Sequence, residues 1–205
     1  MLHSTYDADH AAESVEVIGP RAQHLQTQDF EKRAGSLFTK PAGGGQEIEI
    51  NVLMPQDGSS CGIRPRNVPG LGHVDTLPEL TFALSGSGLI LDVSADLLDG
   101  SSIEFRTRIP RLEVAVLLKA HSWKARRLSD PKDLADLNSL MEIRQAHPTH
   151  PGGSIGSRCA ATASTARLLH ELAGTLSRRS SSMPVPSHVG RARMAARIAQ
   201  HIARP

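Results

Sequence analysis

The sequence contains very few aromatic residues: phenylalanine, tryptophan and tyrosine together make up 3% of its 205 residues. Its hydrophobic core must therefore consist of leucine, valine, isoleucine and alanine, with Trp123 as the one large side chain. No hydrophobic run is long enough to cross a bilayer, and the N-terminus has no basic segment followed by an apolar one. We therefore expect neither a membrane span nor a secretory signal. The length fits one compact domain, alone or with a small appendage.

Cysteine is also scarce, because Cys61 and Cys159 are isolated from each other and no Cys-x-x-Cys motif is present. Metal centres built on thiolates and disulfide-rich secreted folds both require more cysteine than this. We interpret both residues as buried or idle thiols. A reducing cytoplasm is the expected location.

Negative charge is scarce in the last part of the chain, although the formal net charge of the whole chain is only +2. From Arg158 onward there are eight arginines and one acidic residue, Glu171. Such a segment is a candidate for binding nucleic-acid phosphates. The alternative is a solvated helix surface, which we favour because there are almost no aromatic residues for base stacking.

Hydrophobic periodicity in the first half of the chain predicts short strands and helices. Strands are predicted at residues 4–9, 15–18, 36–40 and 47–54, with a glycine-rich hairpin turn between the last two. Helices are predicted from Pro20 to about Arg33 and over residues 77–84. Residues 56–76 are rich in Gly, Pro, Asn and Asp and are predicted to be mostly loop.

The second half is predicted to be one hairpin followed by helices. Strands at 88–95 and 102–109 flank an Asp-Gly turn at 99–100. An apolar helix beginning at Pro110 is followed, after a short loop, by a second helix with an apolar stripe at Leu134, Leu137, Leu140 and Met141, so the two should be antiparallel. A third helix is predicted at about 158–177, then a linker and a basic amphipathic helix.

Two pairs of polar residues on predicted strands are candidate metal ligands. Asp7 and Asp9 lie two residues apart, so a strand directs both carboxylates to the same face. Glu49 and Asn51 alternate with apolar residues in the strand at 47–54. Oxygen ligands of this kind suit Mg²⁺ together with nucleotide phosphates. The alternatives are a solvated N-terminal segment and an ordinary half-buried strand, unless the two polar faces meet.

The segment "KAHSWKARRLSDPKDLADL" supplies candidate phosphate-binding cations. Lys119 interrupts an apolar helix, where it either extends its ammonium group to the surface or contacts a phosphate as a point charge. Arg126 and Arg127 add further cations. Lys132 and Asp136 are spaced as a helix-surface ion pair, and Asp133 has the position of an acid that favours a helix N-terminus.

These segments, in their order along residues 4–146, resemble the nucleotidyltransferase-like family of AbiEii/AbiGii toxin type, within the polymerase-beta-like superfamily. The matching features are Thr-x-Asp-x-Asp at residues 5–9, a strand ending in Leu-x-Pro, and the segment from Lys119 to Leu137. The resemblance implies an α+β fold with a small mixed sheet flanked by helices. It implies a core at residues 1–109, a helical part at 110–177, and a linker with a basic C-terminal helix at 178–205.

The resemblance also implies an activity: Mg²⁺-dependent transfer of a nucleotidyl group from an NTP to RNA or protein, often as the toxin of a pair with an antitoxin. Asp7 and Asp9 would hold the metal, with Asn51 and Glu49 completing its site. Lys119 and Asp133 would join the aspartates as catalytic residues. Nucleotide contacts would come from Lys119, Arg126, Arg127 and Lys132.

The sequence departs from the family pattern in two places. Asn51 occupies a position where the family usually has aspartate, so it adds no negative charge to the metal site. A glycine-rich element that precedes Thr-x-Asp-x-Asp in the family does not precede Thr5 here. A catalytically inactive module that binds a nucleotide or a partner is therefore the alternative function.

Overall fold

The computed structural model describes residues 7–57, 63–86, 88–96, 100–126, 131–147, 160–178 and 180–204. The fold is α+β, as predicted. The chain forms two compact units, Met1–Gly86 and Ser87–Pro205. Because residues 178–205 contribute to the same core as the preceding helices, they belong to the second unit. The three-part division at residues 109 and 177 stays a prediction.

The first unit is a curled mixed sheet with two helices. Its elements are β1 (Asp7–Ala11), α1 (Val15–Thr27), β2 (Glu31–Ala34), β3 (Leu37–Gly43), β4 (Gln46–Pro55), β5 (Arg64–Val68), β6 (Gly72–Leu77) and α2 (Pro78–Ser85). The strands follow the order β2-β3-β4-β6-β5, and β1 pairs with β4 in parallel. β4 therefore pairs with three other strands, and its two faces determine what the sheet buries and what it exposes.

One face of the sheet forms the core of the first unit. Phe38, Val52, Met54 and Val74 are buried there together with Ile18 of α1. The alternation of apolar and polar residues in β4 produces this division, since neighbouring side chains on a strand point to opposite faces. The predicted β3–β4 hairpin and its glycine turn are confirmed, with Gly44 and Gly45 at φ +60° and +78°.

Two predictions about the region around α1 are wrong. Residues 15–18 begin the helix instead of forming a strand, and Pro20 lies inside the helix. The buried residues Ile18 and Ala22 lie one helical turn apart, so packing of the helix overrides the β-propensity of the valines around residue 16. The helix ends before Asp29, whose φ of +64° redirects the chain, and residues 31–34 form β2.

The prediction that residues 56–76 are mostly loop is also wrong. β5 and β6 form an antiparallel hairpin there, with Val68 and Val74 buried. The Leu71 N–H donates to the Val68 carbonyl at 3.0 Å and closes a tight turn in which Gly70 and Gly72 have positive φ. These glycines, which suggested a loop, are instead the residues that make the hairpin turn possible.

The second unit combines one hairpin with four helices in its described residues. These elements are β7 (Leu89–Asp96), β8 (Ser102–Ile109), α3 (Leu112–Arg126), α4 (Lys132–Ala146), α5 (Ala160–Ser177) and α6 (Arg191–His201). The predicted hairpin and helices are confirmed. Trp123, Leu137, Leu169, Met194 and Ile198 are fully or almost fully buried in the helical core.

The helices α3 and α4 are antiparallel, as predicted. Arg126 at the end of α3 contacts Asp133 at the start of α4, while Glu113 near the start of α3 lies 3.8 Å from Arg144 near the end of α4. Among the described helices, none has both the length and the apolar content that a bilayer crossing requires.

Candidate functional site

The parallel pairing of β1 with β4 brings the predicted metal ligands of the first unit together. Asp7 is paired with Glu49, and Asp9 is paired with Asn51. Neighbouring strands lie about 4.8 Å apart, and laterally paired residues of a parallel sheet share a face. The structure describes the backbone of Asp7 but not its side chain, so the geometry of the site rests on Asp9, Glu49 and Asn51. We call these three residues the β1–β4 polar face.

The acids of this polar face have no counter-ion among the side chains that the structure describes. Asp9 is exposed, and Glu49 and Asn51 are half-buried. In the described part of the chain, the side chains of Asp9 and Glu49 make no hydrogen bond and no ion pair, and only their backbone groups pair within the sheet. Like charges on adjacent strands repel each other, so a bound cation would relieve an unfavourable interaction.

The neighbouring acids Glu31 of β2 and Glu47 of β4 do have a counter-ion, because they share one arginine. Arg33 lies 3.6 Å from Glu31 and 3.6 Å from Glu47, and its Nε donates to the Thr39 hydroxyl at 3.0 Å. Glu47 therefore has a counter-ion while Glu49, two residues along the same strand, has none among the described residues. This difference makes Glu47 a matched control for Glu49.

Two carboxylates and an amide oxygen are a donor set that fits a hard divalent cation such as Mg²⁺. The described side chains contain no group of three or more His, Cys, Asp or Glu residues arranged to hold a metal. The polar face has two such residues, and Asn51 supplies a neutral oxygen. Metal binding by these residues therefore stays a prediction.

The second unit contains a network of four charged residues between α3 and α4. The Asp133 carboxylate is fully buried and accepts two hydrogen bonds from Arg126, from Nε to Oδ2 and from Nη2 to Oδ1, both at 2.9 Å. The Lys119 ammonium lies 3.6 Å from Asp133 Oδ1 and 2.6 Å from Asp136 Oδ2. We call these four residues the α3–α4 charge cluster.

Burial decides what Asp133 does in this cluster. A carboxylate with no exposed surface does not meet a ligand directly, so it acts through the cations that it holds. It fixes the guanidinium of Arg126 by a bidentate contact and attracts Lys119. The side chains of Arg126 and Lys119 are 53% and 32% exposed, so both remain partly accessible to solvent. Asp133 is thus a positioning residue for Arg126 and Lys119, and its predicted catalytic role stays a prediction.

Asp136 is the member of the cluster that the predicted site did not contain. Its position in the sequence could have indicated this role, because Asp133 and Asp136 lie three residues apart on a helix and therefore share a face. Both face Lys119, which explains why a lysine is stable inside an apolar helix. The two carboxylates balance the two cations, so a phosphate that binds here must compete with them.

The remaining residues named in the sequence analysis are either at the surface or outside the described part of the chain. Lys132 is the exposed first residue of α4. Thr5, Arg127, Cys61 and Cys159 lie outside the described residues.

Two of the C-terminal arginines make structural contacts. Arg191 donates to the carbonyl groups of Thr175, Leu176 and Arg178 at the end of α5, at 3.2–3.3 Å. Arg197 donates to Glu142 at 2.7 Å and to Gln145 at 2.8 Å. These contacts favour a packing role for α6 over phosphate binding.

Comparison of the chain with models of known protein families, with curated proteins and with solved structures finds no match.

Proposed function

We propose that the chain is a nucleotidyltransferase-like protein that uses Mg²⁺ to transfer a nucleotidyl group from an NTP to RNA or protein. The observation that carries this proposal is the register between β1 and β4, which pairs Asp7 with Glu49 and Asp9 with Asn51. Among the described residues Asp9 and Glu49 have no counter-ion, and together with the Asn51 amide oxygen they form a donor set that suits a metal-bound triphosphate.

The chemistry is a displacement at the α-phosphorus, in which the acceptor oxygen forms a new bond and pyrophosphate leaves. A bound Mg²⁺ would supply positive charge that offsets the negative charge developing on the phosphates. Asp9 and Glu49 would hold the cation through carboxylate oxygens, and Asn51 through its side-chain carbonyl. The resemblance assigns Lys119 and Arg126 to the triphosphate, which would have to compete with Asp133 and Asp136 for these two cations.

The acceptor and the biological partner follow from the family resemblance alone. RNA or a protein hydroxyl group would accept the nucleotide, and an antitoxin would restrain the activity in a reducing cytoplasm. These parts of the proposal depend on the transfer activity, which is therefore tested first.

The test is transfer of label from each of the four α-³²P-labelled NTPs to RNA or protein, with Mg²⁺ and with EDTA. Asp9→Asn and Glu49→Gln should each reduce Mg²⁺-dependent transfer by about 10- to 100-fold or more, because each removes a charged metal ligand. Glu47→Gln, on the same face but paired with Arg33, should retain transfer within about 2-fold. Equal transfer by Asp9→Asn and the unchanged chain would falsify the proposal.

A catalytically inactive nucleotide-binding module is the second candidate function, and Asn51 favours it. At this position an amide replaces a carboxylate, so the site has less negative charge and no base. Calorimetry with each NTP distinguishes the two candidates. Mg²⁺-dependent binding without any transfer supports the inactive module.

A further inference from the structure

The hairpin β7–β8 makes few contacts with the rest of its unit. Its strands pair along their whole length, from Leu89 with Ile109 to Asp96 with Ser102. In the described residues this sheet has no third strand, and the hairpin packs extensively on none of the helices of its own unit. Two-stranded hairpins are at best marginally stable in water, so a further strand would stabilise this one.

One face of the hairpin is apolar and exposed. The cross-strand pairs Leu89–Ile109, Val93–Phe105 and Ala95–Ile103 all lie on this face. Phe105 is 48% exposed and Ile103 is 43% exposed. An exposed apolar patch of this kind, on a sheet with open edges, marks an interaction surface.

The opposite face of β8 carries charges in a self-complementary order. Glu104 and Arg106 flank Phe105 on either side, so an antiparallel copy of β8 centred on Phe105 places each glutamate opposite the partner's arginine. The same register places Phe105 against its own copy and Ile103 against Thr107. Every apolar-face residue then meets another residue of that face, as strand pairing requires.

Arg106 can take part in such pairing without leaving its partner in the hairpin. Its Nε donates to Asp92 Oδ1 at 2.6 Å and its Nη2 donates to Asp92 Oδ2 at 3.3 Å. A guanidinium has five N–H donors, so the contact with Asp92 leaves donors of Arg106 that a second carboxylate could accept from. The Arg106 and Asp92 side chains are 72% and 75% exposed, and neither is confined by packing.

The other pairings of a strand with its own copy lack this complementarity. Centring the pair on Arg106 places two arginines opposite each other, and centring it on Glu104 places two glutamates opposite each other. The acids of β7, Asp92 and Asp96, have no basic residue on their own strand, so two copies of β7 cannot form reciprocal ion pairs.

We propose that a second copy of this chain pairs along the open edge of β8, antiparallel and centred on Phe105. The result is a four-stranded sheet, β7-β8-β8-β7, on a two-fold axis that passes through Phe105. Reciprocal Glu104–Arg106 pairs fix the register and close the assembly at two chains.

The test is sedimentation equilibrium of the full chain and of charge-swapped variants. The unchanged chain should reach twice the chain mass of 22.0 kDa. Glu104→Arg and Arg106→Glu should each be monomeric, because each places like charges opposite one another. Mixing the two variants should restore a dimer containing one chain of each kind. Asp96→Arg makes the same charge change on β7 and should remain dimeric.

Cysteine cross-linking gives a second readout that does not depend on the folding of the charge variants. In a background with Cys61→Ser and Cys159→Ser, Phe105→Cys should form a disulfide between two chains, because the two-fold axis brings the two positions together. Thr107→Cys should not. A monomeric unchanged chain, assembly beyond two chains, an unproductive mixture of the two charge variants, or equal cross-linking at 105 and 107 overturns the proposal.

Discussion

The carboxylate of Asp133 has no exposed surface, so its charge is compensated by neighbouring cations rather than by water. Arg126 supplies two hydrogen bonds, and Lys119 lies further away at 3.6 Å. Removing one partner of a buried ion pair is costly because the other charge remains buried. The cost is therefore asymmetric: losing Arg126 leaves a buried anion, whereas losing the Asp133 charge leaves a half-exposed cation that can turn to solvent.

We therefore expect Arg126→Met to lower the free energy of unfolding by about 3–5 kcal/mol. Asp133→Asn should lower it by only about 1–3 kcal/mol, since it keeps the shape and one acceptor of the side chain. Lys124→Met removes a cation from the same last turn of α3, where the residue is exposed, and should cost less than about 1 kcal/mol. Urea unfolding of the three variants measures these values. An Arg126→Met variant as stable as Lys124→Met would contradict this role for Asp133.

Individual residues also show which features of the fold and of the site could be predicted from the sequence. The amphipathic helices and the two predicted hairpins follow from local periodicity. The pairing of Asp9 with Asn51 joins segments separated by α1, β2 and β3, so no local pattern contains it. The bidentate contact between Arg126 and Asp133 likewise requires the antiparallel packing of α3 on α4. The sequence analysis selected Arg126 and Asp133 as site residues, but it did not predict that they contact each other.

At the scale of elements, α6 is held against α4 by polar contacts as well as by the core. Arg197 donates to Glu142, and this contact, with a hydrogen bond from Asn138, lowers the pKa of that carboxyl from its ordinary value of 4.5. His201, at the end of α6, has a pKa below its ordinary value of 6.5 because of burial, and secondarily because of Arg144 and Arg197. The described residues provide no hydrogen-bond partner for its Nε2.

The lowered pKa of His201 makes the stability of the chain dependent on pH. Below pH 6.5 the unfolded chain binds a proton at this residue more readily than the folded chain does. The stabilising contribution is thus complete above about pH 6.5 and declines as the pH falls towards the folded-state pKa. His201→Gln should remove this decline, so the variant should lose less stability than the unchanged chain between pH 7.5 and pH 5.

Urea unfolding across this pH range measures the effect. His188→Gln is the control, because His188 is exposed and precedes α6. It should follow the pH dependence of the unchanged chain. Parallel pH profiles for His201→Gln and the unchanged chain would exclude the role given to His201.

At the scale of the whole molecule, the two units have separate hydrophobic cores. Val52, Met54 and Val74 belong to the first, and Trp123 and Leu169 belong to the second. The chain has a single tryptophan, so its fluorescence reports on the second unit alone. We expect the fragment 87–205 to fold by itself and to show the same urea midpoint by fluorescence as the full chain. A fragment whose Trp123 emission is that of a solvent-exposed indole would show that the second unit depends on the first.

The central claim is that the β1–β4 polar face binds a divalent cation, and titration with Mn²⁺ followed by electron paramagnetic resonance tests it most directly. With NTP present, the full chain should bind Mn²⁺ as a substitute for Mg²⁺. Asp9→Asn should weaken binding by about 10-fold or more, and Asn51→Asp should strengthen it, because charge sets the affinity of such sites. Glu47→Gln should leave it unchanged. Identical Mn²⁺ affinities for Asp9→Asn, Asn51→Asp and Glu47→Gln would contradict the claim.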